Sequence, residues 1–108
     1  MNKDVKDKWI VALESGDYEQ VQAWLRKDNA YCCLGVLCDI TDPSKWQVAD
    51  VADYDHTDYS FDSWQTVIPD YLREELGITV DQQTELIELN DDKGLNFKEI
   101  AAWIRENL

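Results

Sequence analysis

Residues 18–40 read YEQVQAWLRKDNAYCCLGVLCDI, and the hydrophobic period changes along them. Val21, Ala23 and Leu25 alternate with Gln20, Gln22 and Trp24, a two-residue repeat that predicts a half-buried strand over Tyr18 to Leu25. Lys27-Asp28-Asn29 supplies turn residues, so Tyr31-Cys32 can return as a short partner strand. From Cys32 to Ile40 the chain is almost wholly apolar. That run predicts a buried helix of about two turns. It ends near Asp42-Pro43, because proline disfavours helix in the residue before it. Short strands followed directly by a buried helix point to an α+β fold rather than to a parallel α/β sheet.

Outward from this stretch, Val5, Trp9, Ala12 and Leu13 fall at helical spacing over residues 3–15, with Gly16 as a C-terminal stop. Residues 44–68 are less regular. Trp46, Val48 and Val51, then Tyr59, Phe61 and Trp64, suggest short strands around a loop at Asp53–Asp58. Pro69 suits the first turn of a helix running to Leu76, stopped by Gly77. A further helix is expected over Thr84–Leu89, with Leu86, Ile87 and Leu89 inward, then a loop at Asn90–Gly94. Asn96 is placed to cap a last helix whose buried stripe is Phe97, Ile100, Ala101 and Ile104. There is no repeat and no linker. The expected fold is one compact α+β domain over residues 1–108, with four to five helices on a small antiparallel sheet or hairpin.

The net charge of −13 is unevenly spread. Residues 46–92 hold thirteen carboxylates and a single basic residue, Arg73, and so carry −12 of it. Such a block repels nucleic acid and anionic membranes and steers the protein toward basic surfaces. No apolar run approaches the roughly 20 residues of a membrane span. The N-terminus MNKDVKDKWI is too polar for a secretory signal. Three cysteines, two of them adjacent at 32 and 33, fit reduced thiols in a cytoplasm better than a disulfide framework.

Two segments, AYCCLGVLCDI at 30–40 and LNDDKGLNFKEIAAWIREN at 89–107, together with the Trp-containing first helix and PDYLREELGI, resemble a family of small uncharacterised proteins of tailed bacteriophages and prophages. The resemblance covers most of the chain, with residues 47–66 the least similar. It implies a setting, a viral protein acting in the cytoplasm of an infected bacterium, where such proteins often bind and disable a host factor. It implies no catalytic residues.

The leading candidate site is the acidic and aromatic segment with Asp50, Asp53, Tyr54, Asp55, Asp58, Tyr59 and Asp62, flanked by Phe61 and Trp64. Carboxylates a few residues apart can approximate phosphate spacing, and aromatics supply contact area for a protein partner. The bland alternative is a solvated loop whose aromatics belong to the core. A second candidate is a thiol site. Cys32 or Cys33 at a helix N-terminus can gain acidity from the dipole, but His56 is the sole histidine and lies in the acidic segment. Buried structural cysteines are the bland reading. Cys-Cys-x4-Cys lacks zinc-site spacing. Asp53, Asp55 and Asp58 offer oxygens to a divalent cation without the glycine and terminal glutamate of an EF-hand, and Asn90–Gly94 fails the same test. Gly94–Ala101 is reminiscent of the first helix of a helix-turn-helix unit, but the seven residues that follow leave no room for a recognition helix.

The expectation is therefore a non-enzymatic protein that binds the basic surface of a host protein, such as a nucleic-acid-processing or defence enzyme. No cofactor, metal, direct nucleic-acid contact or membrane contact is expected. A cysteine-dependent enzyme using Cys32 or Cys33 and a small-ligand-sequestering protein are the alternatives.

Overall fold

A computed structural model of the protein describes residues 1–53 and 56–108, with residues 50–53 and 56 described by their backbone alone. Among the described residues five helices pack with a five-stranded sheet, the α+β class expected. Helix α1 (Lys3–Glu14) starts where the Asn2 side chain accepts the Val5 amide at 3.1 Å. It buries Trp9, Ile10 and Leu13 against α2 and α5. The Trp9 indole, fully buried, donates to the Cys33 carbonyl at 2.9 Å, so the largest core side chain leaves no polar atom unsatisfied.

Helix α2 (Cys33–Thr41) is the centre of the core, and all six residues from Cys33 to Cys38 are buried. Gly35 lets it sit directly on backbone: a Cβ there would stand 1.8 Å from the Leu25 carbonyl oxygen. Helices α3 (Asp70–Leu76), α4 (Val80–Asp91) and α5 (Phe97–Asn107) complete the layer. Gly77, at φ +76°, ends α3 in the left-handed conformation. Asn96 and Glu99 form a reciprocal capping box on α5, whose Phe97, Ile100, Ala101 and Ile104 are the buried stripe, as the spacing predicts. No described helix is long and apolar enough to cross a membrane.

The strands are β1 (Glu19–Gln20), β2 (Arg26–Lys27), β3 (Ala30–Tyr31), β4 (Trp46–Asp53) and β5 (His56–Phe61), in the spatial order β1-β3-β2-β5-β4. The sheet is mixed rather than purely antiparallel, because β1 lies parallel to β3. The strand expected over Tyr18–Leu25 is not formed as one element. It is two residues long, and the hairpin partner of β3 is β2, across the Asp28-Asn29 turn.

The cause lies in α4. Asn90, 1% exposed, donates to the Val21 carbonyl (2.9 Å) and accepts from Gln20 Nε2 (2.9 Å) and the Cys33 amide (3.3 Å). Asp91 accepts the Ala23 amide at 3.1 Å, holding Ala23 at φ +74°. Side chains of α4 thus take the backbone groups that a longer strand would have used. The same contacts keep Asn90 and Asp91 helical where a loop was expected. Upstream, a Thr79–Gln82 capping box starts α4 earlier than the Thr84 expected from its apolar residues.

Candidate partner-binding surface

Of residues 53–58, expected as a loop, Asp53 and residues 56–58 belong to a long hairpin, and Tyr54 and Asp55 lie outside the described residues. β4 and β5 pair from Trp46↔Phe61 at the root to Asp53↔His56, with register shifts between Val48 and Asp50 and between Val51 and Asp53. Alternation of Trp46, Val48 and of Tyr59, Phe61 was visible in the sequence, but the charges between them masked its continuation. β4 ends the sheet order, so its outer edge is unpaired among the described residues.

The root is held by one cation. The Arg26 guanidinium lies 3.8 Å from the Tyr59 ring centroid, 5.3 Å from that of Tyr31 and 5.5 Å from that of Trp46. It also donates to the Asp28 carbonyl (2.9 Å) and to Asn29 Oδ1 (3.3 Å). Contacts of this kind contribute on the order of 0.5–2 kcal/mol each, more as the cation is desolvated. Asp28 adds a second clamp: its amide donates to the Thr57 carbonyl and its Oδ1 accepts the Thr57 amide, at 2.8 and 2.7 Å.

Behind Arg26 runs a chain of edge-to-face rings, Tyr18–Tyr31–Trp46–Phe61, with centroids 5.1, 5.9 and 5.2 Å apart. Asp39 accepts from both the Tyr18 hydroxyl (2.6 Å) and Trp46 Nε1 (3.0 Å). Burial, then the Asp39 carboxylate, push the Tyr18 phenol well above its ordinary range. Burial also raises that of Tyr31, against the opposing pull of Arg26.

The predicted site residues whose side chains are described, Asp58, Tyr59 and Asp62, do not gather at one place. Asp50 and Asp53 are in β4, in register with Asp58 and His56. Their side chains, and Tyr54 and Asp55 entirely, lie outside the described residues, as does the side chain of His56. Asp58 is half-buried in β5 with Lys27 of β2 as its other ladder partner, and its Oδ1 is buried without a hydrogen bond among the described residues. Tyr59 is committed to Arg26. Asp62 lies beyond the root, about 16 Å of strand from His56. There it accepts from the Tyr71 hydroxyl at 2.8 Å. Phe61 is 1% exposed and Trp64 packs against the core, so both are structural. Arg26 and Asp39 were missed. Their partners are distant in sequence, and no local pattern marks them.

The model of a family described as a domain of unknown function, DUF8296, matches residues 1–82, which include the whole sheet and helices α1 to α3. The chain belongs to the DUF8296 family. No curated protein and no solved structure matches it. Membership brings no activity, substrate or partner, so the chemistry of this DUF8296 chain rests on its own side chains.

That chemistry disfavours the thiols. Cys32 does cap α2, its Sγ accepting the Gly35 amide at 3.4 Å, so it has the helix N-terminal position expected of a reactive cysteine. Burial nevertheless pushes its thiol up to about 12, against the backbone amides that favour the thiolate. Cys33 and Cys38 are raised by burial too. Desolvation outweighs the helix terminus, and a thiol kept neutral is a poor nucleophile. Among the described residues, no three metal-ligating side chains come together.

Proposed function

We propose that the protein acts by binding a basic surface of another protein through the β4–β5 hairpin, without catalysis. The observation that carries this reading is an arm, residues 46–62, with five carboxylates and no lysine or arginine, rooted by the Arg26 stack on a folded base. Negative charge concentrated on one arm raises the on-rate for a positively charged partner more than it slows dissociation. The unpaired edge of β4 adds main-chain donors and acceptors within the acidic field. In a stronger form of the reading the carboxylates stand in for backbone phosphates, so DNA and this protein compete for one partner. The resemblance to phage proteins supplies the setting, with the partner a host nucleic-acid-processing or defence enzyme.

The test compares the parent with a variant carrying Asp50→Asn, Asp53→Asn and Asp55→Asn. Asp58 is kept because it is half-buried at the root. A partner captured from bacterial lysate is identified, purified and recombined with each form across a salt series. Association of the parent should slow as salt screens charge over about 8 Å near physiological strength. The variant should start slower and depend less on salt. Equal association rates for the two at every salt concentration refute the proposal.

A further inference from the structure

A second feature lies away from the hairpin tip. Helix α1, the end of α2 and helix α3 enclose a cleft of about 390 Å³, within the range of small-molecule sites. Phe61, Leu72 and Leu76 lie at its floor and are 1%, 7% and 5% exposed. Two lysines border it, Lys8 on α1 and Lys45 in the turn after α2. In a chain so rich in carboxylates, neither lysine has an ion pair among the described residues. Lys45 Nζ donates only to the neutral Tyr71 hydroxyl, at 3.0 Å.

The nearby acids are differently placed. The Asp42 carboxylate is held by the Ser44 amide and hydroxyl at 3.2 and 2.5 Å, and Asp62 by the Tyr71 hydroxyl. Glu75 is the one bordering carboxylate with no partner among the described residues. Lys8, Lys45 and Glu75 thus stand at the rim without an ion pair among the described residues.

We propose that this cleft binds a small molecule with an apolar body and one anionic head group, a carboxylate or a phosphate. The body would lie on Phe61, Leu72 and Leu76, and the head between Lys8 and Lys45. The inference is independent of the hairpin reading.

The experiment is an NMR titration of the 15N-labelled protein with four probes sharing one ring: phenylacetate, phenyl phosphate, neutral 2-phenylethanol and cationic phenethylamine. Saturable shifts at Val5, Ile40, Leu72 and Leu76 are expected at millimolar probe. The tighter of the two anions identifies the head group and should bind about fivefold more tightly than the alcohol, the scale of two partly exposed charge contacts. A folded variant with Lys8→Gln and Lys45→Gln should lose that preference while still binding the alcohol. The proposal is overturned if no probe gives saturable shifts in the cleft, or if the alcohol or the amine binds as tightly as the anions. It is equally overturned if the double variant keeps the preference.

Discussion

Replacing Gly35 by alanine should reverse the usual rule for helices. In an exposed helix interior the change stabilises by about 1 kcal/mol, since glycine costs more backbone entropy. Here the new Cβ would lie 1.8 Å from the Leu25 carbonyl oxygen and 2.8 Å from its carbon. An ordinary carbon–oxygen contact is about 3.3–3.6 Å, so α2 and the Leu25 backbone would have to part by roughly 1.5 Å. Neither can yield cheaply. Leu25 is fully buried, its amide donates to the Gln65 carbonyl at 2.8 Å, and its carbonyl accepts the Cys32 amide at 3.2 Å. Overpacking of about 1–3 kcal/mol or more adds to about 1 kcal/mol for a strained hydrogen bond. Less the propensity gain, the net loss is about 3 kcal/mol. With a urea slope of about 1.5 kcal/mol/M the midpoint should fall by about 2 M, read from tryptophan fluorescence. Gly16→Ala is the control: at φ +80° with nothing within 4 Å, it meets backbone strain and no clash, costing about 1–2 kcal/mol. A Gly35→Ala protein as stable as the parent would show that α2 does not rest on the Leu25 backbone.

Ser63→Gly should act in the opposite direction. Phe61 and Trp64 exchange both backbone hydrogen bonds (2.7 and 3.0 Å) around Asp62 and Ser63, at φ +50° and +75°, a two-residue turn that favours Asp-Gly. The substitution should stabilise by about 1 kcal/mol through relief of left-handed strain, and an unchanged or lower Tm would contradict it. The buried thiols set an alkaline limit. Cys32 is raised from 9.0 to about 12 in the folded chain, so above pH 9 the unfolded state loses its proton first and stability falls toward pH 12. Native thiol labelling should be slow at pH 8, and the urea midpoint should drop from pH 9 upward. Rapid labelling together with a flat midpoint would refute the burial of these cysteines.

How legible the fold was depended on how local its causes are. α1, α2, α3 and α5 were visible because caps, stops and apolar spacing lie within each segment. Gly77 and Asn96 do in the structure what those residues do in peptides. The 18–25 segment failed because its backbone partners are Asn90 and Asp91, side chains from the far end of the chain. No period within eight residues could report that. The same Asn90 and Asp91 read as loop formers by propensity, and only the tertiary hydrogen bonds explain why they stay helical. In the acidic segment the sequence did not show which way the described side chains turn. Phe61 and Tyr59 turn toward the protein, and Asp62 faces Tyr71 at the root, away from the tip.

This division bears on what the charge can do. A carboxylate block destabilises a fold by self-repulsion in proportion to how closely its members are held. Pairing β4 with β5 puts Asp50 in register with Asp58, and gathering five carboxylates on one arm by itself opposes its folding. What offsets it lies at the root. Lys27 is the ladder partner of Asp58 from β2, Arg26 stacks on Tyr59, and the Asp28 turn is joined to Thr57 by two hydrogen bonds. All three residues belong to β2 or to the turn that follows it, so this short hairpin supports the long one. It follows that removing the cation at Arg26 and removing carboxylates from the arm should move stability in opposite directions. The first removes the support of a repulsive arm. The second relieves the repulsion itself.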